Sequence, residues 1–234
     1  MKIEILFPEI CNLYGDRGNI TYLKKCLPKA KFIETELDTE PVFIKEDVKM
    51  IYMGSMTEKS QERVLNKLRL YKKRIKELID NDVIFLLVGN SFELFLNYIE
   101  TEDNKNIECL GLLDFYAKRY IPKRFNSLFL GTFNNIKIVG YTSRFSHTYG
   151  DNSKNYLFKV EKGLGINEDS IYEGIRVNNL FATYMLGPLL VDNPLFTEYL
   201  IKLMNDKANL AFKKDVMKAY NVRVEEYQKD IELK

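Results

Sequence analysis

Val83-Ile84-Phe85-Leu86-Leu87-Val88-Gly89-Asn90-Ser91-Phe92-Glu93-Leu94-Phe95 is a six-residue apolar run stopped by Gly-Asn and followed by a segment with a helical pattern from Ser91 toward Tyr98. An apolar run without polar alternation fits a central parallel strand covered on both faces. Gly89 falls where a sharp strand-to-helix turn would present a nucleophile. The pattern of a catalytic elbow is there without its reactive atom.

Working outward, residues 2–7 alternate polar and apolar types and end before Pro8, which predicts a first strand. Residues 12–19, Asn-Leu-Tyr-Gly-Asp-Arg-Gly-Asn, carry turn formers ahead of a periodic segment over 20–27. Residues 31–36 and 49–53 read as short strands, the second stopping at Gly54-Ser55. Val64, Leu65, Leu68, Ile75, Leu78 and Ile79 keep a helical period across 58–79, and Asn81-Asp82 ends it. Repeated strand–helix units predict an α/β, doubly wound, mostly parallel sheet with helices on both faces, whose functional loops lie at the carboxyl ends of the strands. Gly54-Ser55, Gly89-Asn90 and the 12–19 loop are therefore expected on one edge.

The second half is richer in short strands, over 127–132, 136–141, 156–160 and 171–177, and reads as an extension of a mixed sheet. Residues 194–204 and 206–229 predict two closing helices, the first opened by Asn193-Pro194.

A chain of 234 residues without a linker is expected to form one domain over 1–234. With 35 Lys+Arg against 33 Asp+Glu, no polyanion-seeking surface is indicated, which argues against nucleic acid. Cys11, Cys26 and Cys109 are odd in number and widely spaced, so neither a disulfide framework nor structural zinc is expected, and nothing in the pattern calls for a cofactor. The first strand is too short and charged for a signal peptide, and no apolar run approaches the ~20 residues of a membrane span, so a reduced, cytoplasmic setting is expected.

Three further segments, read in order with the elbow, carry a resemblance: Asn12 through Ile20, Gly111-Leu112-Leu113-Asp114, and Tyr184-Met185-Leu186-Gly187-Pro188-Leu189-Leu190 followed by Asn193-Pro194. Together they resemble class I glutamine amidotransferases of the cobyric acid synthase type, most closely the small subunits of lipid II isoglutaminyl synthases. The resemblance implies a flavodoxin-like fold. It also implies an elbow cysteine that attacks the glutamine amide, a histidine on a later loop that activates it, and backbone donors for the oxyanion. Laid on the family's elbow, Gly89 stands at the cysteine, Ser91 at its glycine, Phe92 at its aromatic and Glu93 at its glutamine. Laid on its Thr-Tyr-Leu-His-Gly-Pro motif, Leu186 stands at the histidine.

The resemblance thus implies no catalytic residue at either position, and residual catalysis from binding and oxyanion donors alone is only roughly 10³ to 10⁴ over water. Ser91 reads as a helix cap ahead of a substitute nucleophile. The expected ligand-binding set is Gly54, Ser55, Gly89, Asn90, Asp16, Arg17, Arg124 and His147. Gly54-Ser55 falls on the family's oxyanion pair, and Arg124 falls near an arginine facing the substrate glutamine, although with Lys118, Arg119 and Lys123 it reads at least as well as a solvated basic stretch. His147 lies in a stretch that resembles a loop over the site, although a lone loop histidine is more often an ordinary surface group. Asp16 and Arg17 read equally as a cradle for a polar ligand at a helix N-terminus and as an internally bonded structural loop. Cys11 reads as an inert buried thiol.

Three functions compete. The first is a noncatalytic amidotransferase-like partner or regulator of a Mur-ligase-like or other synthetase subunit. The second is a binding module for a small-molecule ligand in the pocket that Gly89 and Leu186 open. The third is a glutamine hydrolase or amidotransferase subunit with a noncanonical site.

Overall fold

A computed structural model describes residues 1–204, 207 and 209–229. The first half runs β1 (Lys2–Leu6), α1 (Arg17–Cys26), β2 (Lys31–Thr35), β3 (Met50–Met53), α2 (Glu58–Arg69), α3 (Lys72–Asp80) and β4 (Ile84–Val88). The second half adds β5 (Tyr98–Glu100), β6 (Asn106–Glu108), β7 (Tyr116–Arg119), β8 (Phe125–Phe133), β9 (Ile136–Arg144), β10 (Ser146–Tyr149), β11 (Phe158–Lys162), β12 (Tyr172–Glu173), β13 (Ile175–Val177) and β14 (Leu180–Thr183). It closes with α4 (Leu189–Asp192), α5 (Pro194–Leu203) and α6 (Lys213–Gln228).

The central sheet has the order β13-β14-β4-β3-β1-β2, parallel throughout except for the antiparallel edge strand β13. All five residues of β4 are buried, as its unbroken apolar run requires. Side chains alternate between two cores. Ile51, Met53, Phe85 and Leu87 pack with α2 and α3, whereas Met50, Tyr52, Ile84, Leu86 and Val88 pack with α1 and α5. The doubly wound α/β architecture expected from the sequence is the one observed.

The second half departs from the expected mixed-sheet extension. β8, β9, β11 and β12 form their own antiparallel sheet, and β10-β7-β5-β6 a third, so that only β13 and β14 join the centre. The cause is local. Asn134 and Asn135 both take left-handed backbone angles, φ 46° and 65°, and close a tight hairpin that pairs β8 with β9 over nine residues.

Two helices also differ. The segment over 58–79 breaks at Leu70-Tyr71, where the Tyr71 ring packs edge-on against Phe43. Ser91 does not open an α-helix: Gly89–Phe95 is 3₁₀ and leads directly into β5. Ser91 through Phe95 are all buried, with no solvent face, and the Ser91 hydroxyl donates to the carbonyls of Val88 (2.8 Å) and Met53 (3.1 Å). It therefore ties two strand ends together and does not cap a helix. The closing helix starts at Lys213, and residues 206 and 208 of the expected 206–229 element lie outside the described residues. No helix among the described residues is long and apolar enough to cross a membrane.

Candidate functional site

The carboxyl ends of β3, β4 and β14 and the loop after β1 meet at one edge of the central sheet, as the strand order requires. Val88 is extended and Gly89 turns to φ +63°, the left-handed region that a Cβ disfavours. A Cβ at Gly89 would lie 2.5 Å from Ser55 Cβ and 3.3 Å from Leu186 Cδ2. The side-chain direction at the elbow thus aims between Ser55 and Leu186, at the floor of a small cleft of about 90 Å³. Leu13 and Tyr14 form one wall, and Arg124, Ser143, Arg144 and Phe145 the other.

Ser55, Gly89, Asn90 and Arg124 line this cleft. The Asn90 amide spans two loops, accepting from Met56 N–H at 3.0 Å and donating to Met56 O at 2.8 Å. The Arg124 guanidinium lies 4.0 Å over the Phe145 ring, and Nη1 donates to Tyr14 OH (2.7 Å) and Ser143 Oγ (3.1 Å), so it bridges the two walls at the mouth.

Asp16 is brought to the same edge but faces inward. Its buried carboxylate accepts from Ser55 N–H (2.5 Å), Ser55 Oγ (2.6 Å) and Gly187 N–H (3.0 Å). Burial pushes its pKa up, and these three hydrogen bonds pull against that. The loops approach so closely that a Cβ at Gly54 would sit 2.5 Å from Cys11 O. Ser55 N–H, within the pair that the resemblance places at the oxyanion, is therefore committed to Asp16. Arg17 does not meet Asp16's carboxylate: it points to solvent and pairs with Glu34 at 3.5 Å. Of the two readings of this loop, the geometry is that of a structural one.

His147 is a buried residue of β10 that does not line the cleft. Its ring lies 4.0 Å from that of Phe125, and Nδ1 accepts from Arg144 Nη2 at 3.3 Å. Burial, and then the neighbouring Arg144 charge, lower its pKa to about 4. The Cys11 thiol is also buried, 3.9 Å from Met56 Sδ, and burial pushes its pKa well up. Neither group has the exposure of a working base or nucleophile.

Arg144 and Tyr184 were not among the expected site residues. Arg144 stands three residues before His147 in the same stretch, at the last position of β9, with its guanidinium 4.0 Å over the Tyr184 ring. Tyr184 OH in turn donates to Glu93 at 2.9 Å. That buried carboxylate also receives Gln61 Nε2 (2.9 Å) and Ser146 Oγ, and burial raises its pKa. The burial of Arg144 rests on partners distant in sequence, Gly165 and Tyr184, and no local pattern signals it.

The model of the CobB/CobQ-like glutamine amidotransferase domain matches residues 2–194. Subunit GatD of the glutamine-hydrolyzing lipid II isoglutaminyl synthase of Staphylococcus aureus is 27% identical over 203 residues, covering 86% of this chain and 83% of that protein. The corresponding subunit of Streptococcus pneumoniae is 27% identical over 202 residues, covering 82% and 76%. A cobyric acid synthase of Clostridium acetobutylicum is 29% identical over 123 residues, 51% of this chain and 23% of that one. The crystal structure of a glutamine amidotransferase from Thermotoga maritima superposes with a TM-score of 0.51 over 96% of this chain and 94% of that chain, at 9% identity, a likeness of fold alone.

Proposed function

Because the chain belongs to the family of CobB/CobQ-like glutamine amidotransferase domains, we propose that it keeps the family's fold and cleft without its glutaminase chemistry, and serves as a partner or regulatory subunit of a synthetase. One observation carries this reading. A Cβ at Gly89 would stand 3.3 Å from Leu186 Cδ2, so the two positions that the resemblance assigns to nucleophile and base face each other and hold neither. Covalent attack on an amide needs a side-chain atom able to form the acyl-enzyme and a base to take its proton. A hydrogen and an isobutyl group supply neither.

What remains supports binding. Asn90, Asp16 and Ser91 hold the strand ends in place, and Arg124 spans the mouth. The two GatD relatives are named as subunits of a synthase. That supports a synthetase subunit, Mur-ligase-like or other, as partner here.

The test is ammonia release from glutamine by the purified chain, alone and in cell extract, together with identification of what co-purifies. The reading expects no release from the chain alone and a synthetase among the retained proteins. Turnover by the purified chain would overturn the noncatalytic reading, and retention of no synthetase would overturn the partner.

A further inference from the structure

β8 outruns one of its neighbours. β11 pairs with it only at Leu130, Gly131 and Thr132, its register shifting between Val160 and Lys162, whereas β9 pairs along all of Phe125–Phe133. Among the described residues, positions 125–129 therefore have a strand on one side only, and an open strand end is a place that natural proteins cover. Beside it α6 closes the outer face of this sheet, where Tyr220 and Val224 pack with Leu130 and Val139. That helix lies beyond residues 2–194, the part of the chain that matches the family. Its contact stops short of Leu128, a half-buried leucine that belongs to none of the apolar clusters among the described residues. Ser127, Leu128, Gly163 and Tyr227 instead line a groove of about 260 Å³, in which Lys162 and Lys229 are the charged groups and no described acidic side chain takes part.

The end of α6 is fixed at this groove. Lys162 Nζ donates to Gln228 O and Lys229 O, both at 3.0 Å, which holds the last carbonyls of the helix against the end of β11. Lys229 then leaves the helix with extended backbone angles, φ −66° and ψ 148°. The residues that follow in the sequence, Asp230-Ile231-Glu232-Leu233-Lys234, alternate charged and apolar types, the pattern that puts both aliphatic side chains on one face of an extended segment. Five extended residues reach about 17 Å, and they begin at a residue that itself lines the groove. Asp230 and Glu232 bring carboxylates to a groove whose charged groups are lysines. The space falls short of the ~300 Å³ at which small-molecule pockets begin and suits the side chains of a peptide better. We propose that residues 230–234 cross this groove as an extended segment, seat Ile231 and Leu233 against Leu128 and Tyr227, and so cover the open end of β8.

The chain contains no tryptophan, so a Leu233→Trp variant carries a single indole whose fluorescence reads the surroundings of that position. Its emission maximum and its quenching by acrylamide are measured in the full chain at several protein concentrations and again in urea, alone and combined with Leu128→Glu, which puts a charge into the groove. The expected result is a blue-shifted emission with quenching well below that of the urea-unfolded chain, independent of protein concentration, and a red shift with loss of most of that protection once Leu128→Glu is added. Should Leu128→Glu fail to fold, hydrogen exchange at residues 127–129 decides, compared between the full chain and a chain ending at Lys229, with faster exchange expected in the shorter one. An indole as accessible as in urea, unchanged protection in folded Leu128→Glu, or equal exchange with and without residues 230–234 would overturn the proposal. Protection that appears only as protein concentration rises would overturn it too, because the segment would then be filling the groove of a second copy.

Discussion

Gly89 and Leu186 face each other across the floor of the cleft, yet the nearest neighbour of a side chain at position 89 would be Ser55, whose Cβ lies 2.5 Å from where a Gly89 Cβ would stand. That approach is closer than side-chain carbons make, and the clash is with the root of Ser55, not with a flexible tip. Ser55 thus hinders any side chain at the elbow from the side.

Restoring the nucleophile and base therefore needs a third change. Gly89→Cys with Leu186→His should be destabilised, the left-handed backbone alone costing about 1–2 kcal/mol and the Ser55 contact adding to it. Adding Ser55→Gly should recover part of the melting temperature, and any thiol-dependent ammonia release should be confined to the triple variant. Equal stability and equal activity of the double and triple variants would show that Ser55 does not obstruct the elbow.

Much of this was legible in the sequence where one residue type admits one reading. The apolar run into Gly89 fixed the buried strand and its turn, and the motif around Leu186 placed the facing loop. What was not legible depended on long-range partners. Ser91 and Glu93 look helical in isolation but find buried partners in Met53, Gln61, Ser146 and Tyr184, which hold the backbone in 3₁₀ form. Arg17 and Asp16 are neighbours in sequence and diverge in space because one has Glu34 and the other has Ser55 and Gly187. His147 drew attention as the single histidine, while Arg144, on the adjoining strand, reached the cleft.

The thiols provide an independent check on the site. Cys11 and Cys26 are buried, and burial raises the pKa of both and carries Cys109 to about 12. Thiolate is the reactive form, so a glutamine-mimicking electrophile at pH 7 should label no cysteine of the native chain in intact-mass measurements. Rapid, stoichiometric labelling of Cys11 would mean that a nucleophile exists beside the 12–19 loop after all.

Asp16 should be a main stabiliser of the cleft. Asp16→Ala leaves the N–H groups of Ser55 and Gly187 without their acceptor, and each buried orphan costs roughly 1–3 kcal/mol. A loss of about 3 kcal/mol in urea unfolding is expected, while Arg17→Ala, which removes only an exposed pair with Glu34, should stay within about 1 kcal/mol. Similar losses in the two variants would show that Asp16 does not tie the loops together.

Glu173 and His147 should give stability two opposed dependences on pH. Burial raises the Glu173 pKa from 4.5 to about 7, so the native state holds that proton more tightly than the unfolded chain. Its contribution is complete below pH 4.5 and is lost as pH rises through about 7. His147 runs the other way. Its pKa falls from 6.5 to about 4, so its contribution is present above pH 6.5 and is lost as pH falls through about 4. Between about pH 4.5 and 6.5 the two limbs oppose each other, each with a slope of at most roughly 1.4 kcal/mol per pH unit. Relative to wild type, Glu173→Gln should make the slope of stability against pH more positive across this window, and His147→Phe should make it more negative. Unfolding free energies at half-unit steps from pH 4 to 7.5 would check both signs, and parallel profiles for the two variants would rule out this pairing of buried acid and buried base.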